Sequence, residues 1–221
     1  DSASGAKNGG IPGTFVLAEG IGRSGHAAQI SLRSFRRLSD AGNGTWMVRT
    51  GAMVTNKSVY LLSAVELELQ IQDVAGKTIY RKLLTYSGFE DDLFQAGPYL
   101  LPNMNARVFV DTEVPTDVLA QMNSYWYEVN RVEAFEKSAS LDNPLNLFTS
   151  VFASPPKARI AISGNPAYLS AKDESSGLTL THVAFLAGDT TLIDLLVSQN
   201  ADLKVKSKLG IMPIHCAALS N

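Results

Sequence analysis

The feature that most limits the fold is a spacing near the C-terminal end. Gly177 and Gly210 stand 33 residues apart, and so do His182 and His215. Between them run Leu192, Ile193, Leu195 and Leu196, then Asn200-Ala201-Asp202. A fixed period of this length marks supersecondary units stacked on one another, each too small to bury its apolar face alone. The residue types agree. Glycine at 177 and 210 permits a tight turn before each first helix, and Pro213 suits a first-turn position, where its missing N–H does no harm. Ala184, Ala217 and Ala218 let neighbouring helices approach closely. Leu192, Leu195 and Leu196 supply an apolar stripe on a second helix. The spacing predicts paired helices from about Asp173 onward.

Upstream, the period is two. Val65, Leu67, Leu69 and Ile71 alternate with Glu66, Glu68, Gln70 and Gln72, which predicts a half-buried strand of an antiparallel sheet. Asp73-Val74-Ala75-Gly76-Lys77 carries turn residues and leads into Thr78-Ile79-Tyr80, so a hairpin is expected there. Trp46, Val48, Ala52 and Val54 alternate after Asp40-Ala41-Gly42-Asn43-Gly44, whose Asn-Gly signals a tight turn. Arg107 to Asp111 and Tyr125 to Val132 read as strands, while Ala28 to Leu38 fits helix or strand. Brief strands between turns predict a β-sandwich over residues 14–137, preceded by a small, polar, flexible leader at 1–13. The pattern changes after Phe135, and Asp142-Asn143-Pro144 reads as a helix start. The helical region is therefore assigned to 138–221, with its last unit incomplete, and the expected class is α+β in two parts.

Both parts resemble known families. Gly177-Leu178-Thr179-Leu180-Thr181-His182-Val183-Ala184 stands where ankyrin repeats carry G-x-T-P-L-H-x-A. Gly210-Ile211-Met212-Pro213-Ile214-His215-Cys216-Ala217-Ala218 comes closer to that pattern. Asn200-Ala201-Asp202 resembles the G-A-D that ends the second helix of such a repeat. Leu180 departs from the usual Pro and Thr181 from the usual Leu, and Asn143 to Asn165 is left open as a degenerate unit. Over Gly44 to Phe135, the run Thr50-Gly51-Ala52-Met53-Val54-Thr55-Asn56, the strand ending at Asp73, Gly76-Lys77, Leu101-Pro102-Asn103 and Val108-Phe109-Val110 resemble bacterial immunoglobulin-like modules of the FxLYD type. Asn103-Met104 stands where that family usually has Gly-Glu.

Together the resemblances imply an antiparallel immunoglobulin-like β-sandwich followed by an incomplete array of α-helical ankyrin repeats, acting as a non-enzymatic adaptor that docks another protein. By position they place contact residues at Lys172, Asp173, Glu174 and Ser175 on one loop, and at Lys206, Ser207 and Lys208 on the next. On the inner helices they place Val183, Leu186, Ala187, Cys216 and Leu219. The two spaced histidines are implied to be structural. The sandwich resemblance points to the bacterial periplasm or an envelope-anchored position, with cytoplasm as the alternative. A lipid anchor before residue 1, oligomerisation through the open repeat end, and a structural role in an envelope assembly are left open.

Composition narrows the function classes without naming a partner. The chain has 221 residues, 45% hydrophobic and 18% charged, with a formal net charge of -2. That is enough for a sizeable core, and no overall basic field invites nucleic acid or anionic lipid. Arg33, Arg36 and Arg37 lack the interleaved aromatics that stack bases and read as a solvated face. No apolar run approaches the roughly 20 residues of a membrane span. The lone cysteine, Cys216, excludes an intrachain disulfide. Gly20-Ile21-Gly22-Arg23-Ser24-Gly25 matches G-x-G-x-x-G, so the alternative reading is a nucleotide-binding or enzymatic N-terminal domain. That reading needs a βαβ unit, and the pattern that follows is antiparallel. No cofactor, metal site or catalytic residue is assigned: Cys216 and His215 are adjacent and point apart on a helix. Glu90-Asp91-Asp92 lacks the spacing and central Gly of a calcium loop. Asn43-Gly44-Thr45 and Asn56-Lys57-Ser58 fit a glycosylation sequon.

Overall fold

A computed structural model describes residues 27–87, 89, 99–135 and 144–219, together with the backbone of residues 14–22. The alternating run lies in β4 (Leu62–Gln72). Val65, Leu67, Leu69 and Ile71 have no exposed surface, each such burial being worth about 1.5–3 kcal/mol. Gln70, on the opposite face, is also covered; its amide donates to Glu68 and Glu128 and accepts from the Trp126 indole. β4 turns into β5 (Thr78–Ser87) at Asp73, whose carboxylate accepts the Ala75 and Lys77 amides at 2.9 Å each. On its other side β4 pairs with β7 (Ser124–Phe135), which pairs in turn with β1 (Thr14–Gly22). The resulting antiparallel sheet has the order β1-β7-β4-β5.

A second, three-stranded sheet has the order β2-β3-β6, built from β2 (Ala28–Gly42), β3 (Thr45–Asn56) and β6 (Asn105–Pro115). The Asn43-Gly44 turn closes the β2–β3 hairpin with both residues at positive φ, 51° and 75°. Ala28 to Leu38, compatible with helix or strand in sequence, is strand. A short helix, α1 (Thr116–Gln121), links β6 to β7. From β3 and β6, Val48, Ala52, Val54, Ala106, Val108 and Val114 enter the core.

The immunoglobulin-like sandwich is corrected by this topology. An immunoglobulin domain sets its first strand beside its second, whereas here β1 pairs with the last strand, and β2 joins the other sheet beside β3. The sheets approach each other closely where β2 meets β7 and β5 meets β6. There Tyr127 reaches the Ser34 carbonyl with its hydroxyl at 3.0 Å. The sequence pattern is satisfied equally by either arrangement, because alternation demands only that one face be covered.

The second half is helical. α2 (Pro144–Ala153) and α3 (Pro155–Gly164) are joined by Ser154 alone and followed by a 3-10 turn over Pro166–Ser170. α4 (Leu180–Ala187), α5 (Thr190–Ser198) and the five-residue α6 (Pro213–Ala217) complete it. The expected ankyrin array is corrected as well, because these elements do not repeat one unit. The turn before α4 closes from Asp173 to Leu178, whereas the turn before α6, from Ser207 to Ile211, is one residue shorter. The period of 33 reports a recurring glycine turn and histidine cap, which do not require a recurring helix pair. The 138–143 boundary and Glu90-Asp91-Asp92 lie outside the described residues.

The two halves share one apolar cluster, which runs from the strands through Leu147, Phe148 and Val151 of α2 to α4, α5 and α6. They also share a buried polar contact. Tyr99, 1% exposed, stands edge-on to Phe135 of β7, and its hydroxyl donates to the Asp173 carboxylate at 2.7 Å. Tyr99→Phe keeps the ring and removes that donor. A hydrogen bond to a charged group contributes about 1.5–3 kcal/mol. Urea unfolding of the variant is therefore expected to show a lower midpoint with an unchanged slope. An unchanged midpoint would mean the contact does not hold the halves together.

Candidate docking surface

The residues ahead of α4 are organised by one carboxylate. Asp173 Oδ2 accepts from the Ser176 amide at 2.8 Å, the Ser176 hydroxyl at 2.6 Å, the Ser175 hydroxyl at 2.5 Å and the Tyr99 hydroxyl at 2.7 Å. Burial alone would raise its pKa, but the donated bonds outweigh that and hold the carboxyl below its ordinary range. Burial, and then the Asp173 charge, push the Tyr99 phenol far up. Asp173 therefore stays ionised and Tyr99 neutral at physiological pH.

The loop ahead of α6 is fastened to this one. The Lys208 amide donates to the Ser176 carbonyl at 2.9 Å. Gly177, at φ 75°, lies so close that an added Cβ would sit 2.7 Å from the Lys208 nitrogen, so both its conformation and its neighbour require glycine. His182 adds a second tie. Its Nδ1 accepts the Thr179 amide at 3.2 Å, which leaves Nε2 to donate to the Ile211 carbonyl at 2.9 Å. His215 accepts the Met212 amide at 3.1 Å in the equivalent place. Both histidines thus accept a backbone amide at a helix start, the structural place that the repeat resemblance implied for them, and burial lowers the pKa of His182.

The contact residues placed by resemblance divide on this frame. Lys172, Glu174, Ser175, Lys206 and Lys208 are exposed. Asp173 and Ser207 are buried and corrected to organising positions; the Ser207 hydroxyl accepts the Ile211 amide at 3.2 Å. Val183 and Leu186 are corrected from contact to core, because α4 is packed by α2, α5 and α6, and Cys216 likewise, because it is buried on α6 where that helix packs against α4. Leu219 is half-buried against the core, and half-buried Ala187 lines a separate cleft of about 450 Å³ with Val59, Pro102, Phe152, Arg159 and Asp189. Lys204 is exposed beside Lys206 and was not singled out in the sequence.

The remaining motifs are accounted for in part. Gly20–Gly22 closes β1, residues 23–26 lie outside the described residues, and the next element is a strand, so the nucleotide-binding βαβ unit is corrected. Asn56 is buried with its amide nitrogen donating to the Tyr60 and Leu100 carbonyls, which corrects its sequon reading to a structural one. Arg37 donates to the Leu119 carbonyl at 2.9 Å. Tyr125 and Tyr127 face β2 while Trp126 meets Gln70. Among the described residues, no group of three or more His, Cys, Asp or Glu is placed to hold a metal ion. No described helix is long and apolar enough to cross a membrane.

No family model and no curated protein matches the chain. Among solved structures it is similar to one described as the X-ray structure of Northeast Structural Genomics Consortium target SoR45, at 9% identity, over 52% of this chain and 90% of that one. The TM-score is 0.26, too low to carry an argument about fold or function.

Two measurements check the frame. The folded pKa of His182 lies below the unfolded value of 6.5, so the unfolded chain takes up the proton first. Its contribution is full above pH 6.5 and is lost as pH falls toward the folded value. Stability should therefore decline on acidification from pH 6.5 to 5, less steeply in His182→Asn; parallel curves would contradict the buried, neutral assignment. Burial pushes the Cys216 thiol up to about 12, so at pH 8 it should react with a disulfide reagent only after unfolding. Immediate reaction in the native protein would place it at the surface.

Proposed function

We propose that the protein is a non-enzymatic binding module that docks another protein through the paired loops 171–179 and 202–212. The observation that carries this reading is the backbone-to-backbone fastening of the two loops, Lys208 to Ser176, reinforced by His182 to Ile211. Loops that merely connect helices can remain mobile, and ordering mobile side chains and backbone on binding costs affinity. These two are tied to each other by hydrogen bonds, yet the exposed side chains of Lys172, Glu174, Lys206 and Lys208 take no part in that fastening. A purely stabilising role for the fastening is the plainer alternative, and it makes no demand on those exposed side chains.

The envelope location rested on the sandwich resemblance and loses its support with it. The docking reading does not, because it stands on loop geometry. Alanine at Lys172, Glu174, Lys206 and Lys208 together is the test, with the protein immobilised and exposed to a lysate of its own cells. Species retained by the wild type are expected to bind the variant about tenfold more weakly, as for loss of a few central contacts, with no fall in melting temperature. Undiminished capture by a variant that melts normally would remove this surface from consideration.

A further inference from the structure

We infer that the partner surface taken by these loops is an acidic protein segment, held along a lysine stripe formed by Lys204, Lys206 and Lys208, with Lys172 on the other loop of the pair; the inference rests on the docking reading above. From Lys204 to Lys208 the chain alternates. Val205 is half-buried and Ser207 buried, while the three lysines between and around them are exposed. Lys204 lies in a bend and Lys208 at the start of the turn that Gly210 closes on the Ser207 carbonyl, so the three exposed lysines fall within five residues of one loop.

The stripe is fixed at several points. The Lys204 amide donates to the Asp202 carboxylate at 2.7 Å, the Ser207 amide to the Ile211 carbonyl at 2.9 Å, and the Lys208 amide to Ser176 at 2.9 Å. The Lys208 side-chain stem lies against Gly177, whose added Cβ would be 3.2 Å from Cγ. Lys172 lies on the other loop of the pair, bridged to Thr179 ahead of α4.

Charge supplies the choice of partner. The molecule as a whole carries -2, and the two loops carry exposed acids at Glu174 and Asp202, but from 204 to 208 three exposed lysines follow one another with no carboxylate between them. Among the described residues, none of the four lysines has an ion-pair partner; the arginines, in contrast, pair at Arg49–Asp111, Arg81–Glu68, Arg131–Glu133 and Arg159–Asp189. Flexible, strongly hydrated ammonium groups on a fixed backbone suit a run of carboxylates, whose attraction is long-ranged and tolerant of register. With no guanidinium in the stripe, neither carboxylate nor phosphate is held bidentately, and the attraction is that of point charges. The aromatic platforms used for single-stranded nucleic acid are missing from the stripe itself.

The probe is a fluorescein-labelled peptide of sixteen glutamates, titrated with the full chain by anisotropy in dilute and in moderate salt. The wild type should bind it in dilute salt and weaken about tenfold or more as salt is raised through the physiological range, as screening requires. Lys204→Gln, Lys206→Gln and Lys208→Gln together keep the packing of the stems and should lose at least about tenfold in affinity. The corresponding arginine variants should bind like the wild type. Lys204→Gln with Lys206→Gln, which leaves the Lys208 stem untouched, serves if the triple variant melts early, and should show part of the same loss.

Absence of binding in dilute salt, or equal binding by the glutamine variants, overturns the inference. So does tighter lysine-dependent binding to phosphatidylserine vesicles or to a single-stranded oligonucleotide. The docking reading fails separately, when the alanine variant still captures its partners. If capture depends on the loops while the glutamate peptide does not bind, docking stands and its acidic partner does not.

Discussion

A buried carboxylate either gathers donors or gives up its charge. Asp173 gathers them from three residues, and what each donor belongs to determines what the carboxylate organises. Ser175 and Ser176 belong to the same loop, so two of the ties shape the turn that leads into Gly177. Tyr99 belongs to the β half, so the third fixes where that turn sits relative to the strands. The Ser176 carbonyl then receives Lys208 from the following loop. A single ionised group therefore lies at the root of the junction between the halves and of the loop pair.

The strands illustrate how far periodicity reaches. Val65, Leu67, Leu69 and Ile71 were legible as buried, because a residue's side in a strand depends only on its parity. So were the Asn43-Gly44 turn, whose positive φ angles few residue types accept, and the hairpin at Asp73 to Lys77. The pairing order was not legible. β1 finds β7, more than a hundred residues later, through complementary backbone edges that any two exposed strand edges offer. Nothing in the residues of either strand names the other, and a resemblance built on local runs filled that gap with the wrong connectivity.

The helical half fails in a different way. Gly177, Gly210, His182 and His215 do recur in structure as they do in sequence, each histidine capping a helix start from the same nitrogen. Extending that local likeness to a whole array assigned an open inner face to α4, whereas α2, α5 and α6 surround it. Val183 and Leu186 were placed by analogy on a face that this packing removes, and Cys216 on the face of α6 that packs against α4. Asp173 illustrates the converse. An aspartate between a lysine and a glutamate reads as surface, and only the arrival of Tyr99 from the other half turns it inward. Lys204 went unnoticed because exposure of alternate residues in a loop, without apolar residues to mark the buried side, leaves little pattern.

The distribution of charge partners links the frame to what it displays. Among the described residues the side-chain ion pairs are made by arginine: Arg159 reaches Asp189, whose other oxygen caps α5 at Leu192, so that pair also positions a helix start. Arg49 meets Asp111 across neighbouring strands with two bonds of 2.7 Å. A planar guanidinium can accept such fixed geometry at small entropic cost, and an ammonium on four methylenes cannot do so as well. The loop from 204 to 208 instead exposes lysines, on a backbone held by hydrogen bonds in which the ammonium groups take no part. Main-chain fixation and charge are thus separated within a few residues. On the docking reading proposed above, that separation lets the surface meet an opposite charge without prescribing its register.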